Sequence, residues 1–242
     1  MKLEPPVEVS RDTLTFDVSE IEPILQAPPT DIKPFPPAMI ELRDGSTMVV
    51  REANLEEAPQ MLGYVEQIMK IEHDFYDIVG ARIYAEILGW YRKRLKDPYT
   101  LIGLVDGTFV GFANGRLKSD KINISLHTMS LRRGLRIGAI MYYVKASYGF
   151  EILGNEEWWA TYESYNGWKR WGIGMAQPSY PWPEYQHELG GARVYYITKK
   201  YWESTVKDYI KEYTGAELVR PVPEDLLEKN AEIKEVPSFD KI

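Results

Sequence analysis

Apolar residues at positions 61, 62, 65, 68 and 69 follow the 3.6-residue period of an amphipathic helix, behind Asn54 as a candidate N-cap. Tyr84, Ile87, Leu88, Tyr91 and Leu95 repeat that period, and Pro98 closes the second helix. The neighbouring segments have the pattern of strands. Met39-Ile40-Glu41-Leu42 and Met48-Val49-Val50 flank Asp44-Gly45, while residues 100–105 and 109–113 flank Asp106-Gly107, so two hairpins are predicted, with glycine supplying the positive φ of each turn. Residues 123–129 predict a further strand, with Ile122, Ile124 and Leu126 on one face and Asn123, Ser125 and His127 on the other. A helix then runs to about Phe150, apolar at Ile137, Ile140, Met141 and Val144. Strands are expected over 158–163 and 192–201. Between them, residues 164–191 hold Trp168, Trp171, Tyr180, Trp182 and Tyr185 without a clear period, which predicts a short helix and a loop that either packs on the sheet or lines a pocket.

This alternation predicts one α/β domain over residues 38–203. Before it, residues 1–37 carry eight prolines, which exclude a long helix and suit an extended arm. After it, residues 204–242 are expected to form a helix over 204–213 and a charged tail containing Pro221, Pro223 and Pro237.

Composition narrows the function. A length of 242 residues with 44% hydrophobic and 27% charged residues fits a well-buried globular domain. The formal charge of -7 argues against a nucleic-acid partner, because neutralising a phosphate backbone needs clustered Lys and Arg. The absence of cysteine excludes disulfides, thiolate metal sites and cysteine nucleophiles. With no apolar leader and no long apolar run, the chain is expected to be cytoplasmic and without a membrane partner. His73 and His187 lack the carboxylate spacing of a metal site, so no metal is assigned.

Charge reverses in one place. Arg116, Lys118, Lys121, Arg132, Arg133 and Arg136 share a segment with a single acidic residue, Asp120. Three of these arginines fall where a strand ends, Gly134 and Gly138 relax the backbone, and a helix begins. Free N–H groups and the positive end of a helix dipole bind phosphate there, and glycine lets the main chain approach a diphosphate. Neither a Rossmann fingerprint nor a P-loop is present.

The segment Arg133-Gly134-Leu135-Arg136-Ile137-Gly138-Ala139, in this order of elements, resembles the coenzyme A signature Q/R-x-x-G/A-x-G/A of the GNAT acyltransferase superfamily, in the variant where arginine replaces the first signature glycine. A second register, Leu131 to Arg136, leaves Gly138 to helix packing, and both registers stand. Leu42-Arg43-Asp44-Gly45 followed by Met48-Val49-Val50-Arg51-Glu52-Ala53 is similar to the family's opening strand, and the resemblance covers residues 39–202. It implies a central twisted, mostly antiparallel sheet flanked by helices. It further implies acetyl-CoA or another acyl-CoA as donor substrate, and an amine on a small molecule or protein as acceptor. In that family two strands splay, pantetheine enters the gap, and backbone N–H groups polarise the thioester. Thr128, Met129 and Ser130 would then flank the acyl group, each such donor contributing about 3 to 4 kcal/mol.

Residues 133–139 would hold the diphosphate. An amine with a free pKa of about 10.4 needs a base, and His127 and Glu163 are the two candidates, each against a structural or surface role. Tyr165 and Asn166 stand where the family places its general acid and a pantetheine contact. The family's interval from that asparagine to a Gly-Phe pair is longer than the one from Asn166 to Gly172-Ile173, which leaves Tyr180 and Tyr185 as alternative acids. Two other readings remain open: a GNAT-like module that binds CoA or a partner without transfer, and an interaction role in which arm and tail dock on a partner or on a second copy, the latter a homodimer.

Overall fold

The computed structural model describes residues 18–70, 76–162, 167–173, 179–180 and 194–238. Among these residues eight strands form one sheet: β1 (Ala38–Glu41), β2 (Thr47–Glu52), β3 (Pro98–Val105), β4 (Thr108–Leu117), β5 (Ile122–Ser130), β6 (Glu157–Ala160), β7 (Ser179–Tyr180) and β8 (Val194–Thr198). Their spatial order is β1-β2-β3-β4-β5-β6-β8-β7, and every pair is antiparallel except β5 with β6. Both expected hairpins are present. Asp106 and Gly107 adopt φ of 51° and 83°, the left-handed pair that a two-residue turn between right-twisted strands requires.

One parallel pair in an otherwise antiparallel sheet needs a crossover, and the helix after β5 provides it. This helix, α4 (Ile137–Ser147), lies on one face of the sheet and packs Ile137, Ile140, Met141 and Val144 against Ile40, Val50, Leu101, Val110 and Ala113. Two helices preceding β3 cover the other face. In α2 (Ala58–Met69) and α3 (Tyr76–Tyr91), Met61, Val65, Ile83 and Ile87 pack on Ile102, Leu104, Phe109 and Phe112. Pro98 thus opens β3, and the second helix ends at Tyr91. Beyond β6 the far side of α4 is buried by aromatics. Tyr142 stacks on Trp171 with centroids 5.0 Å apart and an interplanar angle of 4°, and Trp202 stacks on Phe150 and Tyr143.

Both ends of the described chain are more ordered than their prolines and charges suggest. Within the arm, α1 (Val18–Leu25) forms around Pro23, and residues 27–37 then run without regular structure. Phe35 is buried in the α4-face core, and its N–H donates to Glu52 Oε1 at 2.9 Å. The charged tail is held against the domain. It follows α5 (Lys207–Thr214), passes through α6 (Glu224–Lys229), and closes on the sheet. Val219 and Met39 exchange backbone hydrogen bonds at 3.0 Å. Asn230 accepts from the Gly107 N–H at 2.9 Å and offers its carbonyl to Arg51 Nε at 2.7 Å, while Ile233 is buried against the α2–α3 side. A few apolar residues and paired main-chain groups outweigh the surrounding charges, whose side chains stay in water.

Candidate functional site

Pairing between β5 and β6 runs from Ile122↔Glu157 to Ser125↔Ala160 and stops there, while β5 remains paired with β4 as far as Ser130↔Gly111. Among the described residues, no strand therefore pairs with the end of β5 on the side away from β4. Which of its groups face that side follows from the ladder. Leu131 N–H donates to the Val110 carbonyl at 2.9 Å, so N–H groups at 131 and 129 turn toward β4, and those of Ser130 and Thr128 turn into the gap. His127 N–H again turns toward β4, where it meets the Asn114 side-chain oxygen at 2.8 Å.

The faces change within this stretch. Ser125 is opposite Gly115 and Thr128 opposite Ala113, so Leu126 and His127 together face Asn114, a β-bulge. Ala113 packs with α4, and directly opposed residues share a face, which puts Thr128 on the α4 side. Strict alternation placed His127 with Asn123 and Ser125; the bulge moves it to the opposite face, near Arg82 of α3.

The mouth of α4 lies beside the gap. Gly134 has φ of 85° and Arg136, the N-cap, φ of 60° and no side-chain capping bond, so the first N–H groups of the helix have no side-chain cap. Among the described residues, a Cβ on Gly138 would meet only Ser130 Cβ, at 3.6 Å, an ordinary contact distance, so the helix start lies directly against the end of β5.

The three arginines do not converge as their spacing suggested. Arg132 pairs with Asp44 at 2.8 Å. Arg136 donates to the Tyr213 carbonyl and lays its guanidinium over the Tyr213 ring, 4.2 Å from the centroid, so at this position only the main chain faces the mouth. Arg133 is exposed, and among the described residues it has no ion pair.

No protein-family model matches the chain, and no curated protein matches it in sequence. Solved structures do match. Mycobacterium smegmatis RimJ in complex with CoA-disulfide is similar at 12% identity with a TM-score of 0.50, over 76% of this chain and 98% of that one. The GNAT domain of S. lividans PAT aligns at 14% identity over 67% of this chain and 96% of its own, with a TM-score of 0.48. The PaiA N-acetyltransferase from Thermoplasma acidophilum in complex with coenzyme A aligns at 11% identity over 62% and 98%, with a TM-score of 0.45.

The chain has the GNAT fold.

Within this GNAT fold, His127 is only 7% exposed and its Nδ1 has no hydrogen-bond partner among the described residues. Burial, then the positive charges of Arg82 and Lys145, push its pKa down to about 3, so the imidazole is neutral at physiological pH. On the same side of the sheet, burial raises the pKa of Glu86, whose Oε2 is also without a hydrogen-bond partner among the described residues. Glu163, Tyr165 and Asn166 lie outside the described residues, as do Trp182, Tyr185, His73 and His187.

Two residues beside the end of β5 escaped the sequence reading. Asn114 supplies the side chain at the bulge. Lys145, fully buried on α4, donates to the carbonyls of His127 at 2.8 Å and Asn114 at 3.1 Å. A lysine four residues after Met141 on a strongly apolar helix was the available signal. Trp171, buried on Tyr142, belongs to the packing of this GNAT fold, and Trp168 Nε1 donates to the Tyr195 hydroxyl at 2.7 Å. Among the described residues no helix is long and apolar enough to cross a membrane.

Proposed function

We propose that the chain is an N-acyltransferase that moves an acetyl or other acyl group from acyl-CoA to an amine of a small molecule or protein. The observation that carries this reading is the end of β5, which among the described residues has no strand partner on the side to which the Thr128 and Ser130 N–H groups point, with the start of α4, free of a side-chain cap, beside it. A diphosphate at that helix start would accept hydrogen bonds from the main chain of residues 134–139, with Arg133 adding charge. Pantetheine would run along the end of β5, with its thioester oxygen on the Thr128 N–H and an amide carbonyl of its chain on the Ser130 N–H.

The Thr128 donor is fixed before substrate arrives, so it stabilises a developing oxyanion without reorganisation. The amine attacks the carbonyl carbon, the tetrahedral intermediate collapses with loss of CoA thiolate, and one proton leaves the nitrogen. His127 is neutral and offers an unpartnered nitrogen, with Glu163 as the alternative acceptor and Tyr165 as donor to the thiolate. Cytoplasmic residence and a second copy at the arm and tail belong to the same reading.

One observation favours a binding module without transfer: an imidazole with a pKa of about 3 is a poor match for an ammonium. Calorimetry with CoA and acetyl-CoA, followed by thiol release over an amine panel, separates the two. Saturable heat with thiol release supports the enzyme; heat without release supports the module. No heat with either ligand overturns both.

A further inference from the structure

The bulge in β5 removes ordinary ladder partners from the strand just where it borders the cleft. His127 N–H is satisfied by a side chain, Asn114 Oδ1, at 2.8 Å, and the carbonyls of His127 and Asn114 are both satisfied by Lys145 Nζ, at 2.8 and 3.1 Å. Thus a residue of the crossover helix completes the hydrogen bonding of an irregularity in the sheet. Burying an amine is costly, and an apolar side chain would fill this volume beside Trp158, whose ring centroid lies 5.9 Å from Nζ, without that cost. The packing alone does not call for lysine. The two carbonyls do.

The His127 carbonyl belongs to the planar trans peptide that also carries the Thr128 N–H, and in such a unit C=O and N–H point in opposite directions. Holding the oxygen toward Lys145 therefore holds the hydrogen toward the open side of β5. A hydrogen bond to the oxygen also draws electron density through the amide and strengthens the N–H as a donor.

We propose that Lys145 is a positioning residue for acyl transfer: it fastens the β5 bulge through the His127 and Asn114 carbonyls and so aims and polarises the Thr128 N–H that receives the thioester oxygen. The assignment rests on the acyltransferase reading above. Lys145 touches neither CoA nor acceptor in it, so its removal should alter the thioester carbonyl and leave affinity for the carrier almost intact.

Isotope-edited infrared spectroscopy of [1-13C]acetyl-CoA bound to the full chain tests this without knowledge of the acceptor. The carbonyl stretch of the bound thioester should lie below that of free acetyl-CoA in the wild type. In Lys145→Met most of that displacement should be lost, while the Kd for CoA by calorimetry stays within about threefold, since no contact to the carrier is removed. Asn114→Ala, which frees the His127 N–H from the same bulge, should lose part of it and decides the matter if Lys145→Met does not fold. A bound carbonyl stretch unchanged from wild type in the folded Lys145→Met, or in Asn114→Ala where that variant must decide, overturns the proposal and leaves the acyltransferase reading standing. Acetyl-CoA that binds the wild type with an undisplaced stretch also overturns it. Absence of acetyl-CoA binding by the wild type overturns both.

Discussion

Arg136 places its guanidinium 4.2 Å from the centroid of the Tyr213 ring and donates to the Tyr213 carbonyl, tying the start of α4 to the end of α5. Arg170 lies over the same ring, 4.3 Å from its centroid. The two arginines of the signature, 133 and 136, are therefore unequal. Arg136→Gly relieves a left-handed φ that costs a non-glycine residue about 1 to 2 kcal/mol but loses a cation–π contact of about 0.5 to 1 kcal/mol and a charged hydrogen bond of about 1.5 to 3 kcal/mol, so stability should fall by no more than about 3 kcal/mol. CoA affinity should hold within about threefold, because only main-chain donors at this position face the ligand. Arg133→Ala should weaken CoA binding by about tenfold, the value of one charge-assisted hydrogen bond. Calorimetry on both variants checks the contrast, and equal losses would return Arg136 to the phosphate site.

Gly138 tolerates a side chain without a clash: among the described residues, a new Cβ would meet only Ser130 Cβ, at an ordinary 3.6 Å. Gly138→Trp should fold with an unchanged melting temperature yet lose at least about a hundredfold in CoA affinity, about 2.7 kcal/mol, because the indole occupies the ligand's path. Retained CoA binding in this variant would favour the register in which Gly138 serves helix packing.

His127 ties stability to acid. Its folded pKa of about 3 lies below the unfolded value of 6.5, so between those limits the unfolded chain binds the extra proton and stability falls as pH falls. Above pH 6.5 the group contributes nothing to the pH dependence. Relative to its own stability at pH 7.5, wild type should lose about 2 to 3 kcal/mol more than His127→Gln by pH 4.5, since one proton taken up on unfolding costs about 1.4 kcal/mol for each pH unit below 6.5. Urea titrations at the two pH values measure this difference, and parallel losses in the two proteins would contradict the imidazole's burial.

Glu57 joins three elements. Its carboxylate takes Arg51 at 2.6 and 2.9 Å, the Asn54 N–H at 2.7 Å and the Ile233 N–H at 3.0 Å. Glu57→Ala leaves a buried guanidinium without its partner and should cost about 3 to 5 kcal/mol, read from denaturant unfolding. A loss below about 1 kcal/mol would mean that Arg51 finds water instead.

Much of the sheet was legible because its signals are local. Asp106-Gly107 dictates its turn, and the apolar period of α4 survives into the structure. The bulge was not legible. Alternation through Asn123, Ser125 and His127 looks regular in one dimension, and only pairing with Asn114 reveals the inserted residue. Lys145 was hidden for a related reason: a lysine in a helix ordinarily marks the wet face, and its two carbonyl partners lie 18 and 31 residues away in sequence. The arginine cluster was legible as charge but not as geometry, since the destinations of Arg132 and Arg136, Asp44 and Tyr213, are remote in the chain. The tail's apolar residues are too sparse to show a period.

Asn230 and Ile233 reach back to Gly107, Arg51 and Glu57, partners as far as 179 residues upstream. Until the ribosome has delivered residue 233, the β3–β4 turn and the Arg51–Glu57 pair lack their final partners. A nascent chain therefore leaves this surface unfinished, and open to chaperones, throughout synthesis of the residues that separate Arg51 from Asn230.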